Sequence, residues 1–523
     1  MAQTIFSTEG YITIVYIAAI FLIGIYGARK TRNFRDYWST SGRLGLFVLA
    51  GTVLATQWGG VTLLGIAGFA YQHLWMGVWY SLGAVIRFMF WAFLMAIVLR
   101  KVNAFSISEW FGIRFDNKNA VVMTVLNLIV SIGLLGAQFL GFASVVTVFF
   151  NVPFQTSVII GALVVTVYTI IGGMWGVAYT DVVQIVISGT AAVGMVLYLT
   201  ATQGGFQVLR ATGGDTFPSG YFDPMTIAPL GDLNAGWLFF VTLIFLWLAD
   251  MFLNHNMQRM VSARNLRTAY WAPIFGGMSY LLIAYVTPAL GAYARLVLGT
   301  GLENPDLAFP SLAQELLPAW IAGLVAAALL AVVMSSGDSY LLGPSTLAAN
   351  DLYRAFNPDA SERRILRVAR GITVIYAGIA LFSSLFFQTI IGLILAFLTV
   401  GWAVIPALWA SVAWRRATSN ATFWSMVVGG GLNFLLMAAQ NFDLVPAIAQ
   451  MNPGPSYYTG WIGFAIAVVL LVGISYAEGE SGTPASMRTP TVATDGGVSV
   501  EEAGDEESSI EARARGSLEQ VQF

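Results

Sequence analysis

The chain has 523 residues, of which 57% are hydrophobic and 10% are charged, and its formal net charge is −2. Apolar runs long enough to cross a bilayer recur along it, which is typical of a polytopic membrane protein. The sequence has no cysteine and only two histidines, which excludes disulfides, thiolate metal sites and a histidine-rich metal centre.

Thirteen apolar segments, spans 1 to 13, predict membrane-spanning helices. The first lacks a basic leading region and is followed by Arg29 and Lys30, so we expect no cleavable signal peptide. The spans cover residues 9–28, 45–71, 76–99, 120–148, 155–174, 177–201, 236–262, 270–297, 317–346, 369–387, 389–414, 420–440 and 457–476.

Basic residues mark one side of the predicted membrane domain. They cluster after spans 1, 3, 7, 9 and 11, whereas the opposite loops are acidic. Cytoplasmic loops carry an excess of lysine and arginine. This places the N-terminus outside and the C-terminus in the cytoplasm of a multi-pass cell-membrane protein. The acidic segment 477–523 predicts a disordered cytoplasmic tail.

Span 2 contains the polar and glycine-rich segment ATQWGGVT at 55–62. The double glycine predicts a broken helix with exposed backbone carbonyls. Such backbone is tolerated at membrane depth only where it lines a cavity inside the protein. Close packing of helices through small residues is the alternative.

Spans 3 and 7 place charged and polar groups far from the membrane surfaces. Arg87 of span 3 needs an internal acid, for which Asp250 is the obvious candidate, or an anionic substrate. Span 7 also carries Asn254 and His255, and has no glycine or proline over 238–263. It is either a continuous helix or one whose break is stabilised by its own Asp and Asn side chains.

The junction of spans 5 and 6 contains Gly172 and Gly173, which favour a tight turn. Asp181 follows in the next helix. Capping of that helix is one explanation for this carboxylate. The other is that it faces the polar residues of span 9.

Span 9 carries Ser335, Ser336, Asp338 and Ser339 within an apolar run. Ser335, Asp338 and Ser339 are spaced i, i+3 and i+4, so they share one helix face. Hydroxyl and carboxylate oxygens suit a small hard cation such as sodium. Polar groups at this depth mark an ion or substrate pathway.

Two segments, GGMWGVAYTDVVQ at 172–184 and SSGDSYLLGPSTLAANDLYR at 335–354, resemble the sodium/solute symporter family. DYWSTSGRLG at 36–45, FSISEWFGIRF at 105–115 and the pair Gln258-Arg259 add to the resemblance. It implies an all-α LeuT-type fold in which two inverted five-helix repeats surround the binding sites.

The resemblance also implies an order of regions along the chain. The first repeat is followed by an extracellular loop, and the second by two peripheral spans. These regions are span 1 with its cytoplasmic loop (1–44), the first repeat (45–201), the loop (202–235), the second repeat (236–416), spans 12 and 13 (417–476) and the tail (477–523).

Three groups of site residues follow from the resemblance. The principal sodium site would use the carbonyls of Ala55, Trp58 and Val332 and the hydroxyls of Ser335 and Ser336. A second cation site would use Asp181, Ser335, Asp338 and Ser339, for either sodium or a proton. The substrate candidates are Gln57, Thr62, Arg87, Gln138, Asp250, Asn254 and His255.

The function expected from this pattern is sodium-coupled import of a small organic solute by alternating access. If Arg87 is free, a carboxylate or an amino acid is favoured as the solute. A proton-coupled or uncoupled carrier is the main alternative, and a transporter-like sensor is a weaker one. The sequence contains no cluster of residues that is typical of a catalytic site, so we do not expect an enzyme. We also expect no nucleic-acid ligand and no obligatory protein partner.

Overall fold

The computed structural model describes residues 7–31, 34–73, 77–92, 104, 106–212, 216–217, 221–222, 236–441 and 459–479. This part of the chain is helical, as the apolar pattern predicts. Its α-helices are Thr8–Ala28, Phe34–Ser39, Leu46–Gln57, Ile66–His73, Gly77–Phe90, Ile107–Arg114, Asn117–Phe150, Phe154–Gln203, Phe206–Thr212, Gly236–Asp250, Asn254–Ser262, Leu266–Leu298, Ala308–Leu316, Ala319–Leu347, Arg354–Phe356, Glu362–Ser384, Ile390–Leu398, Val404–Ala413, Ser419–Asn441 and Thr459–Glu478.

Shorter helical turns join or interrupt these elements. Two are π-helices, Val61–Gly65 and Ala348–Tyr353, and three are 3₁₀ turns, Thr40–Gly42, Pro305–Leu307 and Thr399–Ala403. π-helices often occur at functional sites. A parallel backbone bridge between Leu44 and Ala263 ties the start of span 2 to the end of span 7.

Span 2 is broken where its glycines predict. The helix Leu46–Gln57 ends before Trp58, and the chain resumes at Val61 after a bend of 47°. Gly59 lies against span 9, and a Cβ at this position would be only 2.9 Å from Ser336 Cβ. A glycine is therefore required for the two helices to approach this closely.

Spans 5 and 6 share the 50-residue segment Phe154–Gln203, which is interrupted at Gly173 with φ of 55°. The hydroxyl groups of Tyr168 and Thr180 are hydrogen-bonded, although twelve residues of straight helix would separate their Cα atoms by about 18 Å. The chain therefore reverses at Gly173, as the predicted tight turn requires.

Span 7 is also broken, between Asp250 and Asn254, although it has no glycine or proline there. Asn256 Nδ2 donates to the Asp250 carbonyl over 2.6 Å. Asn127 Nδ2 of span 4 donates to the Phe252 carbonyl over 2.9 Å. Side-chain amides thus replace the helical partners of these buried carbonyls, which makes the break tolerable inside the membrane.

Within the described residues, nine helices are long and apolar enough to cross a membrane, and the bent pair of span 2 makes a tenth. Spans 5 and 6 share one of the nine, and spans 3 and 7 lie in shorter helices. The total of thirteen spans remains a prediction. The predicted acidic tail after Gly479, much of the loop 202–235 and the end of span 3 lie outside the described residues.

Candidate functional site

The breaks of spans 2 and 7 are joined by polar side chains. Gln57 Nε2 donates to Asn256 Oδ1 over 3.3 Å. The Gln57 carbonyl, freed by the break, accepts hydrogen bonds from the hydroxyls of Thr62 and Tyr280, at 2.8 and 2.5 Å. The two interrupted helices therefore face each other through the Gln57–Asn256 contact, while Gln57 Oε1 has no hydrogen-bond partner in the described structure.

A small cavity lies between these breaks. Its volume is about 10 Å³, which is room for about one water molecule. A solute would therefore need movement of the surrounding helices to enter. The cavity is lined by Gln57, Gly59, Val61, Thr62, Tyr80, Leu134, Leu246, Trp247, Asp250, Tyr340 and Leu398.

Arg87 and Asp250 form a fully buried ion pair beside the cavity. The guanidinium also lies over the rings of Phe88 and Trp247, at 4.1 and 4.9 Å from their centroids. Arg87 Nε and Nη2 have no hydrogen-bond partner in the described structure. Asp250 thus neutralises the charge of Arg87, but two buried nitrogens keep donor capacity.

The remaining substrate candidates surround the cavity without lining it. Gln138 Oε1 accepts from Gly60 N over 2.9 Å and supports the break of span 2. Asn254 Nδ2 donates to the Gly343 carbonyl over 2.9 Å and fixes span 7 to span 9. His255 lies edge-on to the ring of Tyr340, behind the lining residues.

Oxygen atoms of spans 2 and 9 converge where the principal sodium site is predicted. Ser335 Oγ lies 2.9 Å from both the Ala55 carbonyl and the Val332 carbonyl. Ser336 Oγ instead donates to the Thr56 carbonyl over 2.8 Å. The donor set of two carbonyls and a hydroxyl, all buried, has the hard oxygen chemistry that suits sodium.

The predicted second site contains a side chain that the sequence reasoning did not assign to it. Arg259 Nη2 lies 3.3 Å from Asp181 Oδ2 and 2.7 Å from Ser339 Oγ. Asp338 lies on the far side of Ser339, whose hydroxyl is 3.0 Å from Asp338 Oδ1. Asp181 therefore faces span 9, with the arginine between them. Because Asp181 lies eight residues beyond the break at Gly173, it is too far along the helix to cap it.

Thr52, Thr56 and Tyr168 complete this cluster and were also missed. Thr52 Oγ1 donates to Asp181, and Thr56 Oγ1 accepts from the guanidinium of Arg259. Tyr168 OH donates to Asp338 Oδ2 over 3.1 Å. One signal was available in the sequence, because an arginine inside a predicted span requires an internal acid.

The fold and the site together define a class of protein. Two broken helices that face each other across a cavity, one of them sharing an oxygen-lined site with span 9, are the construction of secondary transporters with the LeuT-type fold. Solved structures support this fold. A Na⁺-coupled sialic acid symporter in a substrate-bound outward-open state aligns with a TM-score of 0.76 at 18% identity, over 90% of this chain and 98% of that one. Mhp1, a nucleobase-cation-symport-1 family transporter, aligns at 0.53 with 12% identity, over 86% and 96% of the two chains.

The model of the sodium:solute symporter family matches residues 37–429, and the chain belongs to that family. The sodium/pantothenate symporter of Haemophilus influenzae is 27% identical over 82% of this chain and 88% of its own length. The sodium/proline symporter of Escherichia coli is 28% identical over 79% and 85%. The protein is therefore a multi-pass membrane transporter for sodium-coupled solute symport, and not an enzyme.

Proposed function

We propose that one sodium ion binds between spans 2 and 9 and controls the import of a small zwitterionic or carboxylate solute. The observation that carries this proposal is the position of Ser335 Oγ, which lies 2.9 Å from carbonyls of both spans. A cation held by these oxygens would join the break of span 2 to span 9. It would thereby stabilise the conformation that presents the solute cavity.

Coupling follows from linkage between the two ligands. If sodium favours the conformation that binds solute, bound solute must raise the affinity for sodium by the same factor. Inward movement of one positive charge supplies about 2.3 kcal/mol per 100 mV of membrane potential. Separation of spans 2 and 9 on the cytoplasmic side would release both ligands.

The import direction rests on the proposed orientation, with the N-terminus outside and the C-terminus in the cytoplasm. The basic residues after spans 1, 3, 7, 9 and 11 support it. The bridge between Leu44 and Ala263 is consistent with this topology, since it joins two chain segments that the prediction places on the cytoplasmic side.

The proposed solute class follows from the ion pair beside the cavity. Because Asp250 neutralises Arg87, the pocket does not select a carboxylate by net charge. Asp250 instead offers an acceptor in the cavity wall, and Arg87, which lies behind it, keeps Nε and Nη2 as donors without a partner in the described structure. A zwitterion such as an amino acid complements both groups, and the aromatic side chains of Tyr80 and Trp247 suit an apolar body. The named solutes of the two curated relatives, pantothenate and proline, both carry a carboxylate.

Uptake into proteoliposomes tests this proposal. The vesicles are tested with a radiolabelled panel of amino acids, monocarboxylates and sugars. An inward sodium gradient should drive uptake of an amino acid or a monocarboxylate from this panel. Asp250→Asn should reduce uptake of an amino acid more than uptake of a monocarboxylate, because it removes the negative charge that attracts the ammonium group. Sodium-driven uptake of a sugar alone would contradict the solute class.

A proton-coupled carrier is the second candidate, because the buried carboxyl groups of Asp181 and Asp338 lie next to the sodium oxygens. The same vesicles separate the two mechanisms. A pH gradient without sodium should drive no uptake, whereas uptake under that condition would favour proton coupling.

A further inference from the structure

His255 is a fully buried side chain next to the ion pair of Arg87 and Asp250. Neither of its ring nitrogens, Nδ1 and Nε2, has a hydrogen-bond partner in the described structure. An imidazole carries at least one N–H group in either tautomer and also when it is protonated. A buried N–H group without an acceptor is unfavourable. A rearrangement that brings an acceptor to this ring is therefore favoured.

The acceptor within reach is the carboxylate of Asp250. Its Oδ1 lies 3.7 Å from His255 Nε2, just beyond the hydrogen-bond range, which ends at about 3.2 Å. Its Oδ2 is paired with Arg87 and also accepts from Asn256 Nδ2 over 3.2 Å. The two oxygens of one carboxylate thus face different groups. A small shift of Asp250 toward the imidazole would complete a hydrogen bond at Oδ1 and loosen the ion pair at Oδ2.

The imidazole is fixed from behind, whereas Asp250 lines the cavity. The ring of His255 lies edge-on to Tyr340, with centroids 4.8 Å apart. The His255 carbonyl accepts from Arg259 Nη1 over 3.0 Å. Span 9 packs directly against the backbone, since a Cβ at Gly343 would lie 3.0 Å from His255 N. Asp250 is therefore the group that a solute in the cavity can move.

A zwitterionic solute gives this shift a charge balance. Arg87 lies behind Asp250 and has two nitrogens, Nε and Nη2, without a partner in the described structure. The carboxylate of the solute would replace Asp250 at the guanidinium, and its ammonium group would pair with Asp250. Each buried charge then keeps an opposite charge beside it, which a buried ion pair requires. The buried donors of Arg87 and His255 gain acceptors in the same step.

We infer that Asp250 exchanges Arg87 for His255 when the solute binds, and that His255 is the positioning residue for this exchange. The inference rests on the proposed function, because it assumes a zwitterionic solute. His255 does not touch the solute in this arrangement, and its N–H group holds the displaced carboxylate. The direct ion pair between spans 3 and 7 becomes a bridge through the solute, so that solute binding changes how these two spans are joined.

Nuclear magnetic resonance of the histidine ring tests the exchange without any solute. The chain has two histidines, so a His73→Gln background labelled with ring-¹⁵N histidine reports on His255 alone. Arg87→Met removes the cation at Asp250 Oδ2, and the ring N–H signal should shift as expected for a hydrogen bond to a carboxylate. Arg87→Lys is the matched control. It keeps the cation, so its ring signals should equal those of the parent protein.

Uptake into proteoliposomes separates positioning from packing. His255→Phe keeps a ring edge against Tyr340 but has no N–H group, whereas His255→Gln loses the ring and keeps a donor. For the radiolabelled amino acids of the uptake panel, the half-maximal solute concentration should rise about tenfold or more in His255→Phe and stay within about threefold in His255→Gln. A side chain that only packs predicts the reverse order.

The outcomes distinguish this inference from the proposed function. Ring signals in Arg87→Met that equal those of Arg87→Lys would overturn the exchange and leave sodium-coupled uptake intact. If Arg87→Met does not fold, the order of the two His255 variants decides, and better uptake by His255→Phe overturns the exchange. Absence of sodium-driven uptake for the whole panel would refute the proposed function, and the ring signals would still report whether Asp250 can turn to His255.

Discussion

Replacement of Ser335 by alanine is the sharpest test of the principal sodium site. The change removes the hydroxyl that lies 2.9 Å from carbonyls of both span 2 and span 9. A hydrogen-bond-like contact to a charged partner contributes about 1.5–3 kcal/mol. Because each ~1.4 kcal/mol is a factor of ten, we expect the sodium concentration for half-maximal uptake to rise about 10- to 150-fold.

Ser345→Ala is the matched control for this variant. Ser345 is buried in the same helix, but its hydroxyl donates only within that helix, to the Leu341 carbonyl over 2.7 Å. Its removal should change stability by less than about 0.5 kcal/mol, and sodium dependence should not change. Sodium-driven uptake and protection by sodium against thermal unfolding in detergent both report the affinity. A half-maximal sodium concentration in Ser335→Ala within about twofold of wild type, or an equal loss in Ser345→Ala, would refute the assignment.

Three further changes test other parts of the structure. Gly59→Ala should abolish uptake, because its methyl group would overlap span 9, whereas Gly194→Ala, with no neighbour within 4 Å, should transport normally. Asn256→Ala removes the 2.6 Å donor to the Asp250 carbonyl, which then keeps only the N–H of Leu253 at 3.1 Å, so thermal unfolding should show a loss of about 0.5–1.5 kcal/mol, and an unchanged stability would argue against this account of the break. Burial raises the pKa of Asp306, in the loop between spans 8 and 9, to about 7. The folded state therefore binds more protons than the unfolded state between pH ~4 and ~7, so stability is highest below this window and falls as the pH rises through it. Asp306→Asn should show a flatter pH dependence of its melting temperature, and a slope equal to that of wild type would contradict the assignment.

The sequence by itself determined the class of the molecule and predicted where its candidate site lies. Hydropathy and the placement of charged residues depend only on each segment and on whether lipid or water surrounds it. They therefore identify an all-helical membrane protein without knowledge of the contacts between segments. The break of span 2 was also predictable, because Gly59 and Gly60 change the local backbone. The face shared by Ser335 and Ser339 followed from helical spacing alone.

Tertiary structure decided which buried groups meet. The break of span 7 has no glycine signal because its carbonyls are satisfied by amide side chains, one of them from Asn127 in another span. The pairs Arg87–Asp250 and Arg259–Asp181 join residues 163 and 78 positions apart. Hydropathy and helical periodicity carry information over a few turns only, whereas these partners are set by how whole helices pack. The contact of Arg259 with Asp181, where the second cation site is predicted, was therefore visible only in the folded structure.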